Sequence, residues 1–241
     1  MPTKLHIFRH GETEFNLQKR IQGHANSPLT SKGRNQAADA RTKIKNVTFD
    51  AAYSSDSGRA HDTACILLED RQLSICTKTS LREIHFGDWE EKLLTELQQQ
   101  NPDMYERLWN QPDQFINTTG ETFAELRDRA RKALAELASN HPDQNVLIVS
   151  HAGFIKTVMN HFDGRPLSES WEALMPKTFA TALCLSVITV IFLSKFFVIH
   201  LGKLIPPKGY SRKTTTRIFS MRCFFVFKTP AEFSPNPHLN F

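Results

Sequence analysis

The sequence predicts an α/β fold built on a mostly parallel sheet with a C-terminal strand pair. Three observations carry that expectation. Short apolar runs alternate with helix-like stretches, and a strand–helix–strand order implies crossover connections between parallel strands. Two of the apolar runs end in matching punctuation, Phe8-Arg9-His10-Gly11 and Val149-Ser150-His151-Ala152-Gly153. The 241 residues, 40% apolar and 23% charged, are ample for a buried core and exclude a mainly disordered, collagen-like or coiled-coil chain.

The elements follow in order. Residues 4–8 read as a buried strand that stops at a turn. Residues 30–44 read as a helix with Thr30 as N-cap. Residues 50–53 are a second strand, followed by a helix over 59–69 and a third strand over 73–76. Residues 88–104 read as helical with a break near Asn101-Pro102, since the residue before proline avoids helical geometry. Residues 122–139 carry the strongest helical pattern. Phe123, Leu126, Ala130, Leu134 and Leu137 recur on one face, and Thr122-x-x-Glu125 fits a capping box. Residues 146–149 are a continuous apolar strand, with a helix over 154–162 behind it. No internal repeat is visible.

The segment 178–193 is apolar or hydroxylic, and Lys195 separates it from 196–201. Its β-branched run at 187–191 favours strands, and two strands joined near Ser194-Lys195 are the preferred reading. A transmembrane helix is the lesser alternative, because a span needs roughly 20 apolar residues. From Leu204 onward, Pro206, Pro207, Pro230, Pro235 and Pro237 lie among scattered Lys and Arg with no period. That stretch reads as a poorly ordered basic tail.

The formal net charge of +5, from 30 Lys+Arg and 25 Asp+Glu, is unevenly spread. Residues 177–241 hold nine of the basic residues and a single acid, Glu232, so the body before them is net negative. A nucleic-acid-binding surface is therefore excluded for the main body. The cysteines at 65, 76, 184 and 223 form no C-x-x-C pair, so neither zinc spacing nor a disulfide framework is expected. The N-terminus MPTKLHIFRHGET lacks an apolar signal region, and the expected location is cytoplasmic.

In an open parallel sheet, ligands bind outside the carboxyl ends of the strands. His10 and His151 both fall at such ends, one beside Arg9. Each alone reads first as structural; together they favour a site. Tyr53-Ser54-Ser55-Asp56-Ser57-Gly58-Arg59 is a third strand end, and Arg59 could be a solvated surface group or reach the same rim as Arg9. Two guanidiniums and two imidazoles would form an anion pocket. Glu83, in Leu81-Arg82-Glu83-Ile84-His85-Phe86-Gly87, could place a proton donor at its edge, although spacing alone favours a salt-bridged loop acid. Trp89 and Trp109 read first as residues that pack the insertion rather than stack on a ligand, although a residue of such a cap could do both.

Arg9-His10-Gly11-Glu12-Thr13, with Asn16 and Gly23, resembles the signature of the histidine phosphatase superfamily, in its phosphoglycerate mutase-like branch. Ser54-Ser55-Asp56 with Arg59-Ala60 resembles the second motif of that family, and Leu81-x-Glu83 with Phe86-Gly87 and Trp89-Glu90 the third. Gly120-Glu121 matches the start of its late helix, and Ser150-His151-Ala152-Gly153 its last motif. The five motifs keep the family's order over about residues 3–203. The resemblance implies a sheet flanked by helices on both faces, with a small helical insertion between the third and fourth motifs.

It also implies roles. His10 is the nucleophile that becomes phosphorylated, while Arg9, Arg59 and His151 hold the phosphoryl oxygens. Glu83 is the general acid and then the base. Asn16, Gln22, Gly23 and Gly153 border the substrate. Neighbouring cations keep a nucleophilic imidazole neutral and balance the transferring phosphoryl group, so no metal or other cofactor is required. The implied partner is a small phosphorylated metabolite.

Glu83 and His151 lie 68 positions apart, shorter than in the family's mutases. The compact spacing favours a phosphatase, with a phosphoglycerate mutase and a non-catalytic phospholigand-binding module as alternatives. A phosphatase domain over 1–203 and a basic tail over 204–241 are expected, with membrane contact of the C-terminal segment the lesser reading. The chain departs from the family at Glu91, where glycine is common, and in its Phe- and Ile-rich closing hairpin.

Overall fold

The computed structural model describes residues 3–171 in full, together with the backbone of residues 188–193, 196–201 and 227–228. The strands are β1 (Thr3–Arg9), β2 (Ala51–Ser55), β3 (Ile75–Lys78), β4 (Asn145–Ser150), β5 (Ile188–Leu193), β6 (Phe196–Leu201) and β7 (Phe227–Lys228). The helices are α1 (Glu14–Leu17), α2 (Ser31–Lys43), α3 (Gly58–Leu67), α4 (Leu94–Gln100), α5 (Pro102–Asn110), α6 (Phe123–Asn140) and α7 (Ala152–Phe162). The sheet order is β3-β2-β4-β1-β5-β6-β7. Strands β3, β2, β4 and β1 are mutually parallel, and β5, β6 and β7 add antiparallel to the β1 edge.

Alternation along the strands explains the layers. Leu5 and Ile7 of β1, with Val146 and Ile148 of β4, join one core with α6, α7 and the insertion helices. Phe8, Leu147 and Val149 point the other way, into a second core with Ala37 and Ala40 of α2 and Ala60 and Ala64 of α3. Helices thus cover both faces, and the fold is the expected α/β sheet with its helical insertion, α4 and α5. The strand pair expected to join near Ser194-Lys195 is β5 and β6, in antiparallel register from Ile188↔Leu201 to Leu193↔Phe196. Among the described residues, no helix is long and apolar enough to cross a membrane. Apart from β7, the tail over 204–241 lies outside the described residues.

Caps form as their sequences suggest. Thr30 accepts from the Gly33 N–H at 3.0 Å, and Thr122 and Glu125 form a reciprocal capping box. Two boundaries differ from expectation. Strand β3 lies two residues later than 73–76, because as an edge strand it is fixed by its ladder to β2 (Ala52↔Ile75 to Ser55↔Lys78) and not by an apolar run. The stretch 88–93 is not α-helical, and holds only the end of a short 3-10 turn, Gly87–Trp89. Gly87 and Glu91 hold φ of 54° and 66°, a left-handed geometry that a helix cannot pass through, so α4 starts only at Leu94. The break at Asn101-Pro102 is where α5 begins, with proline in its first turn.

The parallel register brings the carboxyl ends of β1 and β4 level, Arg9 against Ser150, with the end of β2 alongside. His10, Ser55 and His151 therefore leave the sheet at one rim.

Candidate active site

His10 follows β1 and is tied to β4 by its N–H, which donates to the Ser150 carbonyl at 3.0 Å. Its Nδ1 lies 2.7 Å from the Gly11 carbonyl oxygen. A carbonyl only accepts, so Nδ1 carries the hydrogen and Nε2 keeps its lone pair. The Arg59 Nε–H points at that Nε2 at 3.3 Å. Burial, then the charges of Arg59 and Arg9, hold the His10 pKa well below the ordinary histidine value. The ring is neutral at physiological pH. Gly11 is a glycine for a steric reason: a Cβ there would lie 2.4 Å from the Gly33 carbonyl oxygen.

Arg59, in the first turn of α3, is 1% exposed. Its two terminal nitrogens donate to the Ala25 and Gly23 carbonyls, both at 2.7 Å. The guanidinium is thereby fixed against the loop at residues 22–26. Gly23 makes this turn with φ of 54°, and a Cβ there would collide with Glu90. Burial lowers the Arg59 pKa to about 10, so the group remains a cation near neutrality.

His151 caps α7 and is fully buried. Its ring centroid is 5.2 Å from that of His10, and its Nε2 lies 3.4 Å from the Ser57 hydroxyl. Burial, with Arg59, His10 and Arg9 nearby, pushes its pKa well down.

Glu83 reaches this cluster from the loop after β3. Its Oε1 accepts from the Ile84 and Phe154 N–H groups at 3.0 and 2.9 Å, and its Oε2 accepts from the Gly153 N–H at 2.9 Å. A Cβ on Gly153 would lie 2.5 Å from Oε1. Four lone-pair sites and three donors leave Oε2 one place for a proton.

A cavity of about 400 Å3 opens over the cluster. Arg9, His10, Arg59, Glu83 and Gly153 line it, as do Asn16, Gln22 and Gly23. The structure therefore brings eight of the nine site residues expected from sequence to one cavity, with His151 packed behind His10. The Thr13 hydroxyl lies 3.1 and 3.0 Å from the side-chain oxygens of Asn16 and Gln22 and shares its one hydrogen between them, which keeps both amides at the wall. A larger groove of about 740 Å3 runs beside α6, but Glu121, Glu125, Asp128 and Glu136 line it and would repel an anion.

Sequence reasoning passed over several supports. Arg129 of α6 donates to the Ser80, Arg82 and Glu83 carbonyls and forks onto the Glu121 carboxylate at 2.9 and 2.7 Å. Glu90 accepts from the His24, Ala25 and Phe86 N–H groups and ties the Gly23 loop to the Glu83 loop. Arg82 forks onto Asp56 at 2.7 and 2.5 Å and holds the Asp56 carboxyl below its usual range. Lys156 and Trp171 line the cavity without any earlier signal. For Arg129 and Lys156 the one available clue was a cation at helical spacing from a motif residue.

A sequence profile of the histidine phosphatase superfamily (branch 1) matches residues 5–189. The chain belongs to this superfamily. It is 35% identical over 169 residues to the adenosylcobalamin/alpha-ribazole phosphatase of Escherichia coli K12, covering 70% of this chain and 83% of that one. It is 31% identical over 172 residues to phosphoglycerate mutase-like protein 4 of Arabidopsis thaliana, covering 70% and 74%. Among solved structures, YhfR of Bacillus stearothermophilus superposes with a TM-score of 0.78 at 35% identity, over 85% of this chain and 98% of that one. The family and these relatives identify a phosphatase-type enzyme of the phosphoglycerate mutase family.

Proposed function

We propose that the cavity hydrolyses phosphate monoesters in two steps through a phosphohistidine on His10 Nε2. The observation that carries the assignment is the Nδ1–Gly11 bond, which presents an unprotonated Nε2 to a pocket of fixed cations. Nε2 attacks phosphorus, an N–P bond forms and the ester P–O bond breaks, while Glu83 gives its proton to the leaving oxygen. Water then attacks phosphorus, Glu83 takes a proton from it, and the N–P bond breaks. Arg9 and Arg59 face the charge that spreads over the phosphoryl oxygens, and His151 adds an N–H donor. Those cations are permanent, so the step needs no added divalent ion. Asn16, Gln22, Gly23 and Gly153 border the ester.

The short span between Glu83 and His151 supports water as acceptor; the mutase-like relative supports transfer to a second hydroxyl as the other reading. Cys65 and Cys76 are free thiols, which suits a reducing, cytoplasmic setting.

The test is turnover of p-nitrophenyl phosphate by the full chain and by His10→Ala, with 32P label retained on protein after alkaline quench. The expected result is a loss of about 1,000-fold or more in kcat, label on His10 in the parent protein only, and activity that survives EDTA. Hydrolysis that requires a divalent metal would overturn the assignment. Conversion of phosphoglycerate isomers faster than release of inorganic phosphate would select the mutase.

A further inference from the structure

Lys156 lies on the cavity face of α7, one turn beyond Ala152 and Gly153, which line the same cavity. Its ammonium is half-buried. It makes one long bond, to the Trp171 carbonyl at 3.4 Å, and lies 5.1 Å from the centroid of the Trp171 ring. An ammonium has three donors, so most of its hydrogen-bonding capacity is unused. Among the described residues it has no carboxylate partner. Glu83, whose field reaches it, is held by three backbone N–H groups instead. Of the other cations that line the cavity, Arg59 is held by two carbonyls and Arg20 by the Glu91 carbonyl and Gln18. Burial and the charge of Arg9 lower the Lys156 pKa, and the Glu83 carboxylate offsets them only in part. A partly dehydrated ammonium beside Arg9 is costly in the free enzyme and gains most when an anion enters.

We propose that Lys156 forms a second anion subsite, which selects phosphate esters that carry a further oxyacid group, a carboxylate or a second phosphate. The inference rests on the phosphatase reading and extends it to substrate class. The phosphoryl subsite is at the start of α7, where His151 caps the helix and the Gly153 N–H meets Glu83. Lys156 is five residues beyond His151 on the same helix. A rise of about 1.5 Å per residue separates their backbones by roughly 7.5 Å along the axis, and the flexible lysine stem spans part of that gap. An acid group on a short carbon chain can then reach the ammonium while the ester phosphate sits at His10. Trp171 and Trp109, whose rings are 5.2 Å apart, close the far side of the cavity and limit the length of that chain.

The test compares the full chain with Lys156→Met and Lys156→Arg on three esters. They are p-nitrophenyl phosphate, with an uncharged leaving group; 3-phosphoglycerate, with a carboxylate; and ethylene glycol bisphosphate, with a second phosphate. The readout is the ratio of kcat/KM for each charged ester to that for p-nitrophenyl phosphate. In Lys156→Met this ratio is expected to fall about 10- to 100-fold, mainly through KM, and Lys156→Arg is expected to restore most of it. A fall confined to one charged ester identifies the acid group that is read. A ratio unchanged in Lys156→Met overturns the subsite, and Lys156 is then a stem that covers Trp171. Turnover of p-nitrophenyl phosphate by the parent protein checks the phosphatase reading separately, so failure of one is distinguishable from failure of the other.

Discussion

At the scale of single residues, the state of His10 decides whether the site can react. Its Nδ1–H is committed to Gly11, and both its burial and its cationic neighbours oppose a second proton. The prediction concerns pH. His10 and His151 have folded pKa values depressed below the ordinary 6.5. Between those values and 6.5 the unfolded chain binds more protons than the folded one. The stability contributed by the neutral rings is therefore complete above pH 6.5 and declines as pH falls through that window toward the folded values. His6, His24 and His161 are shifted in the same direction, so a thermal midpoint that falls on acidification is expected but is not specific. Ring 15N NMR is specific. It should show His10 as the Nδ1–H tautomer and both His10 and His151 uncharged at pH 6. A His10 midpoint at or above 6.5 would remove the nucleophile from the mechanism.

Residue identities at the site were legible through the family motifs that carry them, whereas spacing alone left Arg59 open as a surface group and favoured a loop acid for Glu83. Conformation was less legible. Glu91 departs from the family's common glycine, and the reason that glycine suits the position is visible only in the backbone. Residue 91 has φ of 66°, its N–H donates to Ile21 at 2.8 Å, and its carbonyl accepts from Arg20 at 2.7 Å. The turn keeps its bonds and bears the left-handed geometry with a side chain attached, at a cost of about 1 kcal/mol.

At the scale of elements, α6 does more than cover the sheet. Its apolar face and capping box were readable from periodicity alone, and both are present. Arg129 lies on the same helix but faces the loop that carries Glu83. Three carbonyls of that loop, at Ser80, Arg82 and Glu83, and the Glu121 carboxylate converge on one guanidinium. No periodicity announces such a link, because three of its acceptors are backbone carbonyls of a segment more than 40 residues away. Arg129→Ala should leave these acceptors without a donor. The expected cost is about 2 kcal/mol, or about 4–8 °C in thermal midpoint. With Glu83 acting on the leaving group as proposed, kcat should fall while KM changes little. Arg129→Lys should recover only part of the loss, since an ammonium cannot fork onto Glu121 while reaching three carbonyls. A variant with parental stability and parental kcat would show that the Glu83 loop holds itself.

At the scale of the molecule, two charge distributions compete to attract substrate. The basic tail gives the chain its positive balance, whereas the body is net negative. The cavity reverses the sign locally: among the described residues, Arg9, Arg59, Lys156, Lys19 and Arg20 line it against the carboxylate of Glu83. Low-dielectric walls focus the field of such a cluster, and an anionic ester should be drawn to it. The screening length falls from about 30 Å at 0.01 M salt to about 3 Å at 1 M. Raising salt across that range should therefore raise KM for an anionic ester several-fold and leave kcat nearly unchanged. If the cavity supplies the field, a chain ended after Lys203 should show the same salt dependence as the full chain. If truncation abolishes that dependence, the tail is the source, and the cavity cations act only at contact range.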